Sequence, residues 1–123
     1  MRDVSPKVYH GLPRRIHIGP YTFRVVFATA RHEQLRDADG RCVLNELRIY
    51  LRTNLNLQLA VNTVVHEVTH AINFAYGIED GATEEFFTTN HSTGQVDVWV
   101  RNPRLMNWYV KQIRRIRQEA EHD

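Results

Sequence analysis

The chain has 123 residues, 42% of them hydrophobic and 24% charged, with a formal net charge of +2. That length lets one domain bury a core without disulfides, and the single cysteine, Cys42, excludes an intrachain bridge and fits a reducing, cytoplasmic compartment. No apolar run is long enough to span a bilayer, the N-terminus carries no apolar signal segment, and so small a net charge does not by itself imply nucleic acid.

Residues 1–14 contain Pro6, Gly11 and Pro13 with little periodicity and read as an irregular lead-in to a single domain spanning 1–123. The run 15–18 (RIHI), the Gly19-Pro20 pair and the run 21–29 (YTFRVVFAT) predict two strands joined by a tight turn, with Tyr21 and Phe23 on one face. Residues 31–40 are polar and end in the turn pair Asp39-Gly40. His32 and Glu33 are metal-ligand types, but in so charged a stretch they read as solvated. Beyond Gly40, RCVLN and ELRIYLRT predict a third and a fourth strand, or one bent strand. In the latter, Leu47, Ile49 and Leu51 alternate with Arg48, Tyr50 and Arg52, the pattern of an edge strand with a charged outer face. Such an edge could add an extended substrate as a further strand, although keeping the edge soluble is the simpler role for the arginines.

Asn54 or Asn56 can cap a long helix that runs to about Tyr76 and stops at Gly77. Residues 57–75 are apolar on most faces, as for a helix buried in a core, with Asn62, His66, His70 and Asn73 as an aligned polar stripe. Within it, His66-Glu67-Val68-Thr69-His70 is an H-E-x-x-H motif. Four residues apart on a helix, the two imidazoles share a face and can reach one metal ion, and Glu67 stands beside the first ligand as a base for an activated water. The competing reading is a pair of core histidines hydrogen-bonded to protein groups.

The loop 77–82 holds two glycines, and Thr83 predicts an N-cap with Glu84, Glu85 and Phe86 in the first helical turn, where the helix dipole alone would favour carboxylates. Residues 88–94 (TTNHSTG) are poor in helix formers, and 95–100 (QVDVWV) alternates like a strand. Asn102-Pro103 is an N-cap followed by proline at the first helical position. The last helix then places Leu105, Trp108, Tyr109, Ile113 and Ile116 on one face, opposite Arg104, Lys111, Arg114, Arg115 and Arg117. That is the pattern of a core-docking helix with a solvated basic face, so nucleic acid is not expected as a partner.

A catalytic zinc generally takes three protein ligands and keeps one open position. The metzincin extension H-E-x-x-H-x-x-G-x-x-H is excluded, because Asn73 replaces its glycine and Tyr76 its third histidine. The candidates that remain are Glu84 and Glu85, with Asp80 and His91 behind them.

The run HEVTHAINFAYG, the Glu-Glu helix start, the later R-N-P-R-L and the N-terminal I-x-I-G-P-Y-x-F-x-V-x-F together resemble the small zincin-like metallopeptidases of phages and prophages. The resemblance extends from about Ile16 to Trp108, and only H-E-x-x-H in it is a specific motif. It breaks between Thr88 and Gln95, where those relatives have an apolar helix. It implies an α+β minigluzincin, distantly similar to ImmA/IrrE and SprT-like peptidases, with a small antiparallel or mixed N-terminal sheet on the H-E-x-x-H helix and two further helices. It also implies a carboxylate ligand on the helix after the motif, at Glu85 rather than Glu84 on the family's spacing. The expected protein is a zinc peptidase acting on a peptide or protein, with His66, His70 and Glu85 on Zn2+ and Glu67 as general base then acid. His91, Tyr76 and Tyr109 are available to stabilise the oxyanion. The alternatives are a phage-type binding or inhibitory protein with a structural zinc and, more remotely, a DNA-associated protein using its basic helix.

Overall fold

The computed structural model describes residues 5–79 and 83–121, the side chain of Glu84 excepted. The architecture is α+β: a four-stranded mixed sheet with three helices. The strands are β1 (Arg15–Ile18), β2 (Tyr21–Ala28), β3 (Gly40–Val43) and β4 (Arg48–Arg52), and the helices α1 (Leu57–Ala75), α2 (Glu84–Arg101) and α3 (Pro103–Glu121). The sheet order is β1-β2-β4-β3, with β2 and β4 parallel and the outer pairs antiparallel.

The predicted hairpin forms as expected, with Ile16 opposite Phe23 and Ile18 opposite Tyr21. The edge prediction for 47–52 is corrected. β4 lies between β2 and β3, so both of its backbone edges are paired, and β3 is the edge strand on that side of the sheet, as β1 is on the other. Nor is its outer face solvated at Tyr50, which is buried. The segment between β2 and β3 folds back over it: the His32 ring packs on Tyr50 at 5.1 Å, and Leu35, in a 3-10 turn at Glu33–Leu35, is fully buried. His32 Nδ1 accepts the Gln34 amide at 3.1 Å and so caps that turn. Alternation of apolar and polar side chains reads the same for an edge strand as for a central one whose second face is covered by a loop.

The other sheet face carries Ile16, Ile18, Phe23, Val25, Ile49 and Leu51, packed with Val64, Val68, Ala71 and Ile72 of α1 and with Leu105 and Trp108 of α3. The described part of the lead-in, residues 5–14, is more ordered than its composition predicts. Lys7–Tyr9 is a 3-10 turn, and Tyr9 is wholly buried, stacked on Phe27 at 4.9 Å and donating its hydroxyl to the Arg52 carbonyl at 2.7 Å. On α3, Leu105, Trp108 and Gln112 are buried while Ile113 is exposed, so the docked seam is rotated from the predicted apolar face.

The largest departure is α2. Residues 95–100 form no strand, and 84–101 is one continuous helix. Thr83 caps it as predicted, its hydroxyl accepting the Phe86 amide at 3.2 Å. Gly94 is its weakest helix former, yet only glycine fits there: a Cβ would lie 2.6 Å from Cγ2 of Ile72 and 2.8 Å from Cδ2 of Tyr76. Close approach to α1 therefore overrides propensity.

The helix also does what a fifth strand would have done for the free edge of β1. Asn102 accepts from the His17 amide at 2.8 Å and donates to the His17 carbonyl at 2.7 Å and to the Val98 carbonyl at 2.9 Å. Two residues on, the Gly19 amide donates to Asp97 at 3.0 Å, and Arg101 donates to the Gly19 carbonyl at 2.6 Å. The predicted cap role of Asn102 is thus divided. Its backbone carbonyl receives the Met106 amide at the start of α3, while its side chain is committed to β1.

Asp97 supplies a pH-dependent part of this clasp. Against the opposing effect of burial, the Gly19 amide, Tyr76 and Arg101 hold its carboxyl below the ordinary value of 3.8. A depressed folded-state pKa stabilises the fold above the unfolded value and loses that contribution as pH falls through the lower folded value. Asp97→Asn is therefore expected to lower the urea midpoint at about pH 6, with the gap from wild type closing below about pH 3. A gap that does not change with pH would remove Asp97 from the acid response.

Candidate metal centre

α1 begins at Asn56, whose side chain accepts the Leu59 amide at 2.9 Å, and ends at Tyr76 and Gly77, as its sequence predicts. It is less buried than predicted. Ala60, Thr63, Val64, Glu67, Val68, Ala71 and Ile72 form one buried face, whereas Leu59, Val65 and Phe74 are exposed. Asn62, His66 and His70 lie on the open side, with Asn73 half-buried at its margin.

His66 and His70 meet as their four-residue spacing requires, Nε2 to Nε2, at 3.1 Å. Glu67, three residues after Val64 and four before Ala71, shares their buried face and is only 5% exposed. The edge strand covers it. Partner residues across the sheet share a face, so Gly40 and Cys42, opposite Leu51 and Ile49, lie on the helix side of β3. A Cβ at Gly40 would stand 2.6 Å from Cγ2 of Thr63 and 3.0 Å from Cγ of Glu67, so glycine is what lets the strand descend onto the carboxylate. Burial pushes the Glu67 carboxyl up. The neighbouring His66 and His70, the Cys42 amide that donates to it, and Arg41 all oppose that shift. Cys42 itself, half-buried beside that carboxylate, has its thiol pushed up to about 12 and stays protonated near neutral pH.

These groups open onto a cleft of about 640 Å³. His66, Glu67, His70 and Asn73 line it from α1, Arg41, Cys42 and Leu44 from β3 and the residues after it, and Phe74, Ile78 and Glu79 from the end of α1 and the following loop. The β3 residues were not identifiable from sequence, because their place beside the motif depends on β4 inserting between β2 and β3. No local pattern signals that insertion.

The remaining candidates are distributed as follows. Glu85 is exposed in the first turn of α2; the Glu84 side chain and Asp80 lie outside the described residues. Among the described residues no group of three or more His, Cys, Asp and Glu side chains is gathered in metal-binding proximity. His91 stacks on Phe87 at 5.3 Å and approaches Asn73 of the cleft, Nδ1 to Oδ1, at 3.3 Å. Tyr76 lies beside Asp97 and Tyr109 packs against Trp108, and neither is among the residues that line the cleft.

The two imidazoles are spaced as a pair of zinc ligands would be. Two ligands at 2.0–2.1 Å from a tetrahedral ion stand about 3.3 Å apart, close to the observed separation of the two imidazole nitrogens. No protein-family model, curated protein or solved structure matches this chain. Among the described residues no helix is long and apolar enough to cross a membrane.

Proposed function

We infer that this protein is a zincin-like zinc metallopeptidase of the gluzincin type, acting on peptide bonds of a peptide or protein in the cytoplasm. The observation that carries this reading is the convergence of the His66 and His70 nitrogens at the mouth of a cleft whose buried carboxylate, Glu67, follows the first of them in sequence. A pair of core histidines would not explain it, because both imidazoles are exposed.

His66 and His70 would hold the metal, with Glu85 as the third ligand in this reading and Glu84 as the alternative. A zinc ion held there would supply Lewis acidity toward the scissile carbonyl and toward the attacking water. Glu67 takes the proton of the attacking water and returns it to the departing amine. The Cys42 amide and the packing of Gly40 hold its carboxylate in one orientation for both transfers. Asn73, backed by His91, offers a polar wall toward the developing oxyanion, and Leu44, Phe74 and Ile78 offer apolar surface to substrate side chains.

The test joins activity to the ligand set. Wild-type protein is expected to cut an unfolded protein substrate, to lose that activity to a chelator and to regain it with zinc. Glu85→Ala should weaken zinc binding by about tenfold or more while Glu84→Ala leaves it nearly unchanged. The reverse order would transfer the ligand to Glu84, and hydrolysis indifferent to chelation would end the metallopeptidase reading.

A further inference from the structure

Away from the His66/His70 cleft, and sharing no residue with it, two smaller clefts adjoin through Arg104. The first, of about 370 Å³, brings Arg14, Arg15 and His17 of the β1 region against Arg101 and Arg104 at the α2–α3 junction. The second, of about 240 Å³, places His10, Arg104, Asn107 and Lys111 around Trp108. Among the described residues no carboxylate lines either one. Arg101 is held at 3.4 Å by Asp97, but Arg14, Arg15, Arg104 and Lys111 make no ion pair among the described residues. Four cations without an ion pair among the described residues, Arg14 stacked over the Phe27 ring at 4.5 Å, mean that charge is segregated here on a chain whose net charge is +2. The basic side of α3, read from sequence as merely solvated, is joined in the fold by arginines from some 90 residues earlier.

A second observation is independent of charge. The indole N–H of Trp108 is buried and has no acceptor among the described residues, and Trp108 borders the second cleft. A buried donor without a partner is costly, and this one is sealed beneath the cleft rather than open to a ligand in it.

We propose that this face binds the phosphodiester backbone of a nucleic acid. Arg104 and Lys111 are seven residues apart, about 10 Å along the helix axis, and Arg115 continues the same azimuth one turn further. A single small anion does not span that row, whereas a polymer bearing an anion on every unit does. Guanidinium forks and an amide donor such as Asn107 suit phosphate oxygens. An acidic peptide would also need apolar pockets for its side chains, and among the described residues the clefts offer only Pro13, Pro103 and the buried Trp108. The inference does not rest on the metallopeptidase reading.

The test is fluorescence anisotropy of the full chain with labelled mixed-sequence single-stranded DNA, duplex DNA and RNA of about 20 nucleotides. At least one of the three is expected to bind, with affinity falling about a hundredfold between 50 and 200 mM salt, as for neutralisation of about four phosphates. Arg104→Glu combined with Lys111→Glu should weaken binding at least about tenfold, whereas the equal charge change Arg31→Glu with Arg36→Glu, in the loop over the opposite sheet face, should weaken it less than threefold. Near-UV circular dichroism checks that Trp108 stays packed; if the double variant does not fold, Arg15→Glu alone carries the comparison. Absence of salt-dependent binding, equal losses in both double variants, or tighter binding of a poly-glutamate peptide than of any nucleic acid would each overturn the proposal.

Discussion

Glu67→Gln is expected to fold, to take up zinc like the wild type, and to lose peptide hydrolysis by about 10²–10⁴-fold or more. The substitution is close to isosteric. Its amide oxygen can still accept the Cys42 amide, and the contact with Gly40 is unchanged in volume. What it removes is a group that can accept the proton of the attacking water. Neither imidazole replaces that function if both are turned toward a metal. Because Glu67 is 5% exposed, bulk buffer reaches the carboxylate poorly, and small external bases should rescue the variant little. Steady-state hydrolysis measured beside zinc content separates the outcomes. Activity within a few-fold of wild type would remove Glu67 from the proton transfers, and lost zinc would show that the carboxylate supports the site rather than the chemistry.

Asn102→Ala should cost about 2–4 kcal/mol and lower Tm by roughly 10 °C. Asn102 is 5% exposed and makes three side-chain hydrogen bonds, two of them to the amide and carbonyl of His17 at 2.8 and 2.7 Å. Alanine cannot replace these, and the β1 edge would be left with two unmet polar groups under α2. Asn102→Asp should fall between, since a carboxylate keeps the acceptor and loses both donations, to His17 and to Val98. Thermal unfolding of the three proteins decides this. A shift below about 3 °C for alanine would show that water satisfies the edge as well as the side chain does.

Local chemistry made most of the molecule legible before its fold. The Gly19-Pro20 hairpin, the Asn56 and Thr83 caps, the Gly77 stop and the Pro103 start are each written in residues with a specific backbone role, and all appear in the structure. The pairing of His66 with His70 belongs to the same category, because a four-residue helical spacing is local geometry.

The errors have non-local causes. The segment 95–100 alternates like a strand, but Gly94 packs into the space beside Ile72 and Tyr76, and Asp97, Arg101 and Asn102 close the β1 edge from a helix. β4 reads as an edge because Tyr50 and the arginines alternate with its apolar residues; the cover over Tyr50 arrives from His32 and Leu35, about 15 residues earlier. The same strand insertion hid Gly40, Arg41 and Cys42 from the candidate site. A third metal ligand depends on how α2 meets α1, which no spacing along the chain specifies.

The central claim, that His66 and His70 hold zinc beside Glu67, is tested most directly by an anomalous-difference map at the zinc edge from crystals grown with the metal. One strong peak per chain is expected within bonding distance, about 2.0–2.1 Å, of both Nε2 atoms, with Glu85 as the proposed third side chain. A map with no peak between the two imidazoles, from protein that also takes up no zinc in solution, would contradict it.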